Sequence, residues 1–87
     1  MQTGEDIITF PCSFPIKVMG FNSEAFTAAV LAIFHKHLEQ EQFSHSTRLS
    51  SKGKYLSMTV TFTARSRGQL NAIYEELNRH ELVVMTL

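Results

Sequence analysis

Tyr55-Leu56-Ser57-Met58-Thr59-Val60-Thr61-Phe62-Thr63-Ala64 decides the fold. Leu56, Met58, Val60 and Phe62 fall at every second position, with Ser57, Thr59, Thr61 and Thr63 between them. Period two is the signature of a strand with one buried and one open face. A slip of one residue would turn the apolar set outward, so the register of this strand is firmly set. Before it, Phe43, His45, Thr47 and Leu49 alternate with Ser44, Ser46 and Arg48. Ser51-Lys52-Gly53-Lys54 joins the two runs as a hairpin connection, with Gly53 free to take positive φ. After it, Ser66-Arg67-Gly68-Gln69 reads as a capping box. Leu70, Ile73, Tyr74 and Leu77 then follow at i, i+3, i+4 and i+7, which predicts a helix ending near Arg79.

The outer segments complete the pattern. Phe14 to Met19 alternates and Gly20 closes it, placing Phe14, Ile16 and Val18 on one face and Lys17 on the other. Asn22 or Ser23 can cap a helix over about Ser23 to Glu41, in which Phe26, Val30, Ile33, Phe34, His37 and Leu38 recur near the helical period. Leu82 to Leu87 is the last strand. Thr86 suggests that Val83, Met85 and Leu87 face inward, which turns Leu82 and Val84 outward on an edge. Residues 1–13, with Pro11 and Pro15 restricting their neighbours, read as an extended lead-in, and 14–87 as one domain. The order strand, helix, strand, strand, helix, strand is α+β. Its compact solution is the ferredoxin-like βαββαβ sandwich, a four-stranded antiparallel sheet with both helices on one face. Right-handed crossovers give spatial order 4-1-3-2.

Composition narrows the function classes. At 87 residues, one domain buries only roughly 60% of the surface its unfolded chain exposes, so a single core must hold it. With 44% hydrophobic residues, 18% charged and seven Phe, the chain supports that core. Eight basic residues balance eight acidic ones, which argues against a dedicated nucleic-acid binder. The lone Cys12 forms no internal disulfide or Cys-x-x-Cys pair, as expected in a reducing cytoplasm. The opening Met1 to Asp6 has acids where a signal peptide has bases, and no apolar run is long enough to suggest a membrane helix. The expected location is cytoplasmic.

Phe14-Pro15-Ile16-Lys17-Val18-Met19-Gly20, Ser50-Ser51-Lys52-Gly53-Lys54-Tyr55, Tyr74-Glu75-Glu76-Leu77 and the ending Val83-Val84-Met85-Thr86-Leu87, in that order, resemble the YbeD-like family of small bacterial proteins. The resemblance runs from Phe10 to Leu87. It implies a ferredoxin-like fold similar to the ACT-type regulatory domains that bind amino acids in metabolic enzymes. It also implies an association with lipoate metabolism, and it carries no catalytic residues.

The residues themselves offer little chemistry. His35 and His37 lie about 200° apart around a helix and cannot share one ion, while His37 and Glu41 lack a third ligand, so no metal or other cofactor is expected. Asp6 is the only aspartate and no Ser-His-Asp set is apparent, so no enzymatic activity is expected. Lys17 and Arg48 should project beside the hydroxyls of the third strand, as a surface for an anionic metabolite or acidic partner or simply as a solvated face. Lys52 and Gly53 could present cations and backbone donors to a phosphate, or only turn the chain. Gly20 could let a ligand approach the backbone. Leu82 and Val84 suggest a protein partner or a homodimer contact. The expectation is a non-enzymatic regulatory or interaction module, responsive to a small metabolite. The alternative is RNA binding on the open sheet face, which lacks the outward aromatics that stack bases.

Overall fold

The computed structural model describes residues 8–87. The part of the expected lead-in within residues 1–7 lies outside them. The elements are β1 (Cys12–Phe21), α1 (Glu24–Leu38), β2 (Ser44–Leu49), β3 (Tyr55–Ala64), α2 (Arg67–Arg79) and β4 (Val83–Thr86). All strand pairs are antiparallel and the sheet order is β2-β3-β1-β4, the 4-1-3-2 arrangement read from the other edge.

β3 carries the register expected of it. Leu56, Met58, Val60, Phe62 and Ala64 are buried, and across β1 they meet Gly20, Val18, Ile16, Phe14 and Cys12 in turn. Phe26, Val30, Ile33, Phe34 and Leu38 of α1 and Leu70, Ile73 and Leu77 of α2 close over the same face. Both helices therefore lie on one side of the sheet. No polar side chain is buried among the described residues.

The helix ends follow local chemistry. The Ser23 hydroxyl accepts from the Phe26 N–H and the Ser66 hydroxyl from the Gln69 N–H, both at 3.1 Å. The Gln69 side chain accepts from the Arg65 N–H at 2.7 Å, one residue before the cap that a capping box would engage. Helix α1 stops at Leu38, three residues short of the expected end, because Glu39 takes a positive φ of 55°.

β1 begins at Cys12, two residues earlier than its alternation predicts, since Cys12 and Ser13 pair with Ala64 and Thr63. Phe10 and Cys12 pack against the core, and the Arg67 guanidinium lies 5.9 Å above the Phe10 ring. Pro15 is tolerated inside this central strand for a positional reason. Lys17 exchanges backbone hydrogen bonds with Leu87, so Pro15, two residues back, turns its nitrogen to the same side, beyond the end of β4. No donor is required there.

The last strand corrects the expected parity. Val83 pairs with Gly20, but Met85 pairs with Met19 and Thr86 with Val18, leaving Val84 as the extra residue of a β-bulge. Beyond the bulge every side chain changes face. Met85 and Leu87, expected inward, are exposed, while Thr86 turns to the helical side and donates to Asn78 Oδ1 at 3.0 Å. Leu82, expected outward, packs against the core with Val83, and Val84 alone of the expected outward pair is exposed.

Across the helical layer, Glu76 of α2 accepts from His37 Nε2 at 2.8 Å and from Lys36 Nζ at 3.2 Å, both on α1. These hydrogen bonds, His37 first, hold the Glu76 carboxyl below its usual range. A depressed carboxylate contributes stability that is present above its unfolded pKa and is lost as pH falls through the folded one. Glu76→Gln should therefore lower stability at pH 7 by on the order of 0.5 kcal/mol, the size of an exposed pair. Urea midpoints measured from pH 7 to pH 3 should converge for the two proteins at the acid end.

Candidate functional site

Among the described residues nothing covers the sheet face opposite the helices, and strand register lays out its side chains in rows. One row runs Leu87, Lys17, Thr59, Ser46 from β4 to β2, and the next runs Met85, Met19, Ser57, Arg48. A third holds Pro15, Thr61 and Ser44, and Phe21 and Tyr55 stand together at the hairpin end. Lys17 and Arg48 thus flank β3 on a diagonal, roughly 12 Å apart by strand spacing and rise. Between them Ser46, Ser57 and Thr59 line a depression of ≈ 320 Å³.

The described carboxylates are segregated to one side of the molecule. Among the described residues the carboxylates are Glu24, Glu39, Glu41, Glu75, Glu76 and Glu81, all on the helices, at their ends or in the adjoining loops. The open face carries no Asp or Glu side chain among the described residues. Glu76 is engaged by Lys36 and His37, and Glu41 accepts from Arg65 Nε at 2.8 Å. Among the described residues no ion pair engages Lys17 or Arg48. The formal charge of +0 therefore conceals an open face whose described side-chain charges are all positive, while the six described Glu share the helical layer with Lys36, Arg65, Arg67 and Arg79.

The other expected contacts are placed differently. Gly20 is buried, and a Cβ built on it would lie 2.5 Å from both the Leu82 carbonyl oxygen and the Phe26 ring. The close approach that needs this glycine in the described structure is the protein's own. Gly53 takes φ 72° in the hairpin, as its sequence context suggests. Its N–H donates to the Ser50 carbonyl at 2.9 Å, and the Tyr55 N–H donates to the Ser50 hydroxyl at 3.1 Å. Two donors of a would-be phosphate cradle are thus engaged within the turn. Lys54, next to Lys52 and Gly53, leans over Phe21 and Tyr55 at 5.9 and 5.6 Å from the ring centroids.

His35 packs on Phe43 with centroids 4.9 Å apart, and His37 faces Glu76. Among the described residues no group of three His, Cys, Asp or Glu side chains is placed to hold a metal ion. For RNA, the aromatics that the described residues offer on this face are Phe21 and Tyr55, stacked on each other at 5.0 Å. No helix among the described residues is long and apolar enough to cross a membrane.

The parts of the site missing from the sequence reading are Met19, Phe21, Met85 and Leu87. Alternation from Lys17 could have placed Met19 and Phe21 on the open face. The other two depend on the bulge at Val84.

Comparison with known proteins agrees with this architecture. The chain is 41% identical over 87 residues to the UPF0250 protein NE1487 of Nitrosomonas europaea, covering 99% of this chain and all of that one. It is 44% identical over 82 residues to a UPF0250 protein of Neisseria gonorrhoeae, covering 93% and 90%. Among solved structures, protein HP0495 from H. pylori superposes with TM-score 0.79 at 20% identity over 100% of this chain and 97% of that one. The ACT domain from the GTP pyrophosphokinase of Chlorobium tepidum superposes at 0.68 with 12% identity, covering 88% and 96%. These two likenesses show the shared ACT-like fold. Residues 5–87 match the family described as "Protein of unknown function (DUF493)", and with the UPF0250 relatives this confirms the YbeD-like resemblance: the chain belongs to the DUF493 family.

Proposed function

We propose that the chain is a small regulatory or interaction module that works by binding rather than by catalysis, with the open sheet face around Lys17 and Arg48 as its binding surface. The observation that carries this reading is the segregation of carboxylates. Among the described residues, two cations without ion-pair partners flank a row of hydroxyls on a face free of Asp and Glu side chains. Such a face attracts an anion and supplies it with hydrogen-bond donors. The ACT-like fold supports a regulatory role, since the solved neighbour of that name is a domain of a larger enzyme. A second copy of the chain or an acidic protein could occupy the same face, with a metabolite held between. The association with lipoate metabolism that the YbeD-like resemblance implies adds carboxylates of that pathway to the ligands worth testing.

Calorimetric titration at low salt with amino acids, citrate, inorganic phosphate and lipoate-pathway carboxylates tests the reading. At least one anion should bind, more weakly as salt rises, and Lys17→Ala with Arg48→Ala should reduce its affinity tenfold or more. Both side chains are exposed, so the double variant should retain its thermal midpoint. Absence of heat with every anion, together with a strictly monomeric mass by light scattering, would count against the proposal.

A further inference from the structure

The open face is polar on one side and apolar on the other. Towards β2 it presents Ser44, Ser46, Thr59 and Thr61, and towards β4 it presents Met19, Met85 and Leu87. Five large apolar side chains are exposed among the described residues. Phe21, Met85 and Leu87 stand on this face, Leu49 and Val84 lie at its flanks, and none belongs to a helix. Lys17 on β1 and Arg48 on the edge strand β2 lie diagonally across the polar half. A second depression, ≈ 460 Å³ in volume, adjoins the first and shares Arg48 and Ser57 with it. Met19, Leu49 and Tyr55 supply its apolar lining.

Each depression alone makes a weak site. Exposed cations gain little from an anion in water, and less with salt. Apolar surface has no means of orienting a ligand. Joined through Arg48, they favour a ligand with both features, and their separate sizes suit small-molecule fragments rather than a flat protein contact.

Resting on the anion-binding reading above, we propose that the compound site takes a small amphipathic anion. Its carboxylate or comparable head lies between Lys17 and Arg48, near the hydroxyls of Ser57 and Thr59. Its unbranched apolar tail lies over Met19, Leu49 and Tyr55.

The probes are straight-chain alkanoates of four to ten carbons, the matched neutral alcohols, and citrate as an anion without a tail. Each is titrated into the ¹⁵N-labelled full chain at fixed ionic strength. Full burial of a methylene is worth about fourfold in affinity, so half-burial on this open face should give about twofold per added carbon. Shifts should centre on Met19, Arg48, Leu49 and Ser57. Lys17→Ala should weaken every alkanoate by a similar factor, about fivefold. Leu49→Ser should flatten the dependence on chain length and leave citrate unchanged. Affinity independent of chain length, alcohols binding as well as alkanoates, or shifts confined to the helices would overturn the proposal. Citrate binding without alkanoate binding would sink this inference and leave the anion-binding reading standing. Failure of both probes would remove the two together.

Discussion

Gly20→Ala is expected to destabilise the domain by about 3 kcal/mol, although it adds a single methyl group. The usual cost of overpacking is roughly 1–3 kcal/mol and depends on what can move. Here neither neighbour moves cheaply. The Leu82 carbonyl is backbone at the entrance to β4, and the Phe26 ring is fully buried between α1 and the sheet. Gly20 also pairs with Val83 immediately beside the bulge, so pushing Leu82 away loosens the strand that carries Met85 and Leu87. Urea unfolding should show a lower midpoint with little change in slope, and amide exchange in β4 should accelerate more than in β3. Gly53→Ala provides the contrast. No atom lies within 4 Å of the added carbon, but φ of 72° disfavours it by roughly 1–2 kcal/mol. A Gly20→Ala protein as stable as the parent would mean that the Leu82 and Phe26 packing is not as described.

Phe34→Ala is expected to cost more, roughly 3–5 kcal/mol, the range for an aromatic ring deleted from a core. Phe34 is fully buried and lies 5.5 Å from the Phe62 ring and 5.9 Å from Phe43, joining α1 to β3 and to the entry into β2. A domain of 87 residues has a total stability of roughly 4–13 kcal/mol, so this one truncation removes a large part of it. Phe34→Leu keeps most of the volume and should cost less than about 1.5 kcal/mol. Equilibrium urea curves of the three proteins decide the matter. Equal midpoints for Phe34→Ala and the parent would contradict the core described for α1.

These two residues also show what a sequence can and cannot reveal about this fold. Phe34 was legible because helical spacing ties it to Phe26, Val30 and Leu38, and β3 was legible because its alternation runs unbroken for its length. Ser23 and Ser66 were legible as caps because hydroxyls before an apolar stripe have a direct use at a helix start. Gly20 was misread. A glycine after an alternating run signals a turn, and only the packed neighbours reveal that it clears space for Leu82 and Phe26. The parity of β4 was hidden for another reason. Leu82 to Leu87 is apolar at five of six positions, so nothing in it marks which residue is extra. One unpaired Val84 inverted the faces of Met85 and Leu87. Half of the candidate site was therefore readable: Lys17 and Arg48 follow from alternation in β1 and β2. The apolar half was readable only in part: Met19 and Phe21 follow from alternation in β1, but Met85 and Leu87 depend on that bulge.

The assignment of the open face is tested most directly by an amide map. The ¹⁵N-labelled chain is titrated at low salt with citrate, and the perturbed residues are placed on the sheet. The expected shifts lie at Lys17, Ser46, Arg48, Ser57 and Thr59, and fade in the Lys17→Ala, Arg48→Ala double variant. Saturable shifts on α1 and α2, with the open face silent, would contradict it.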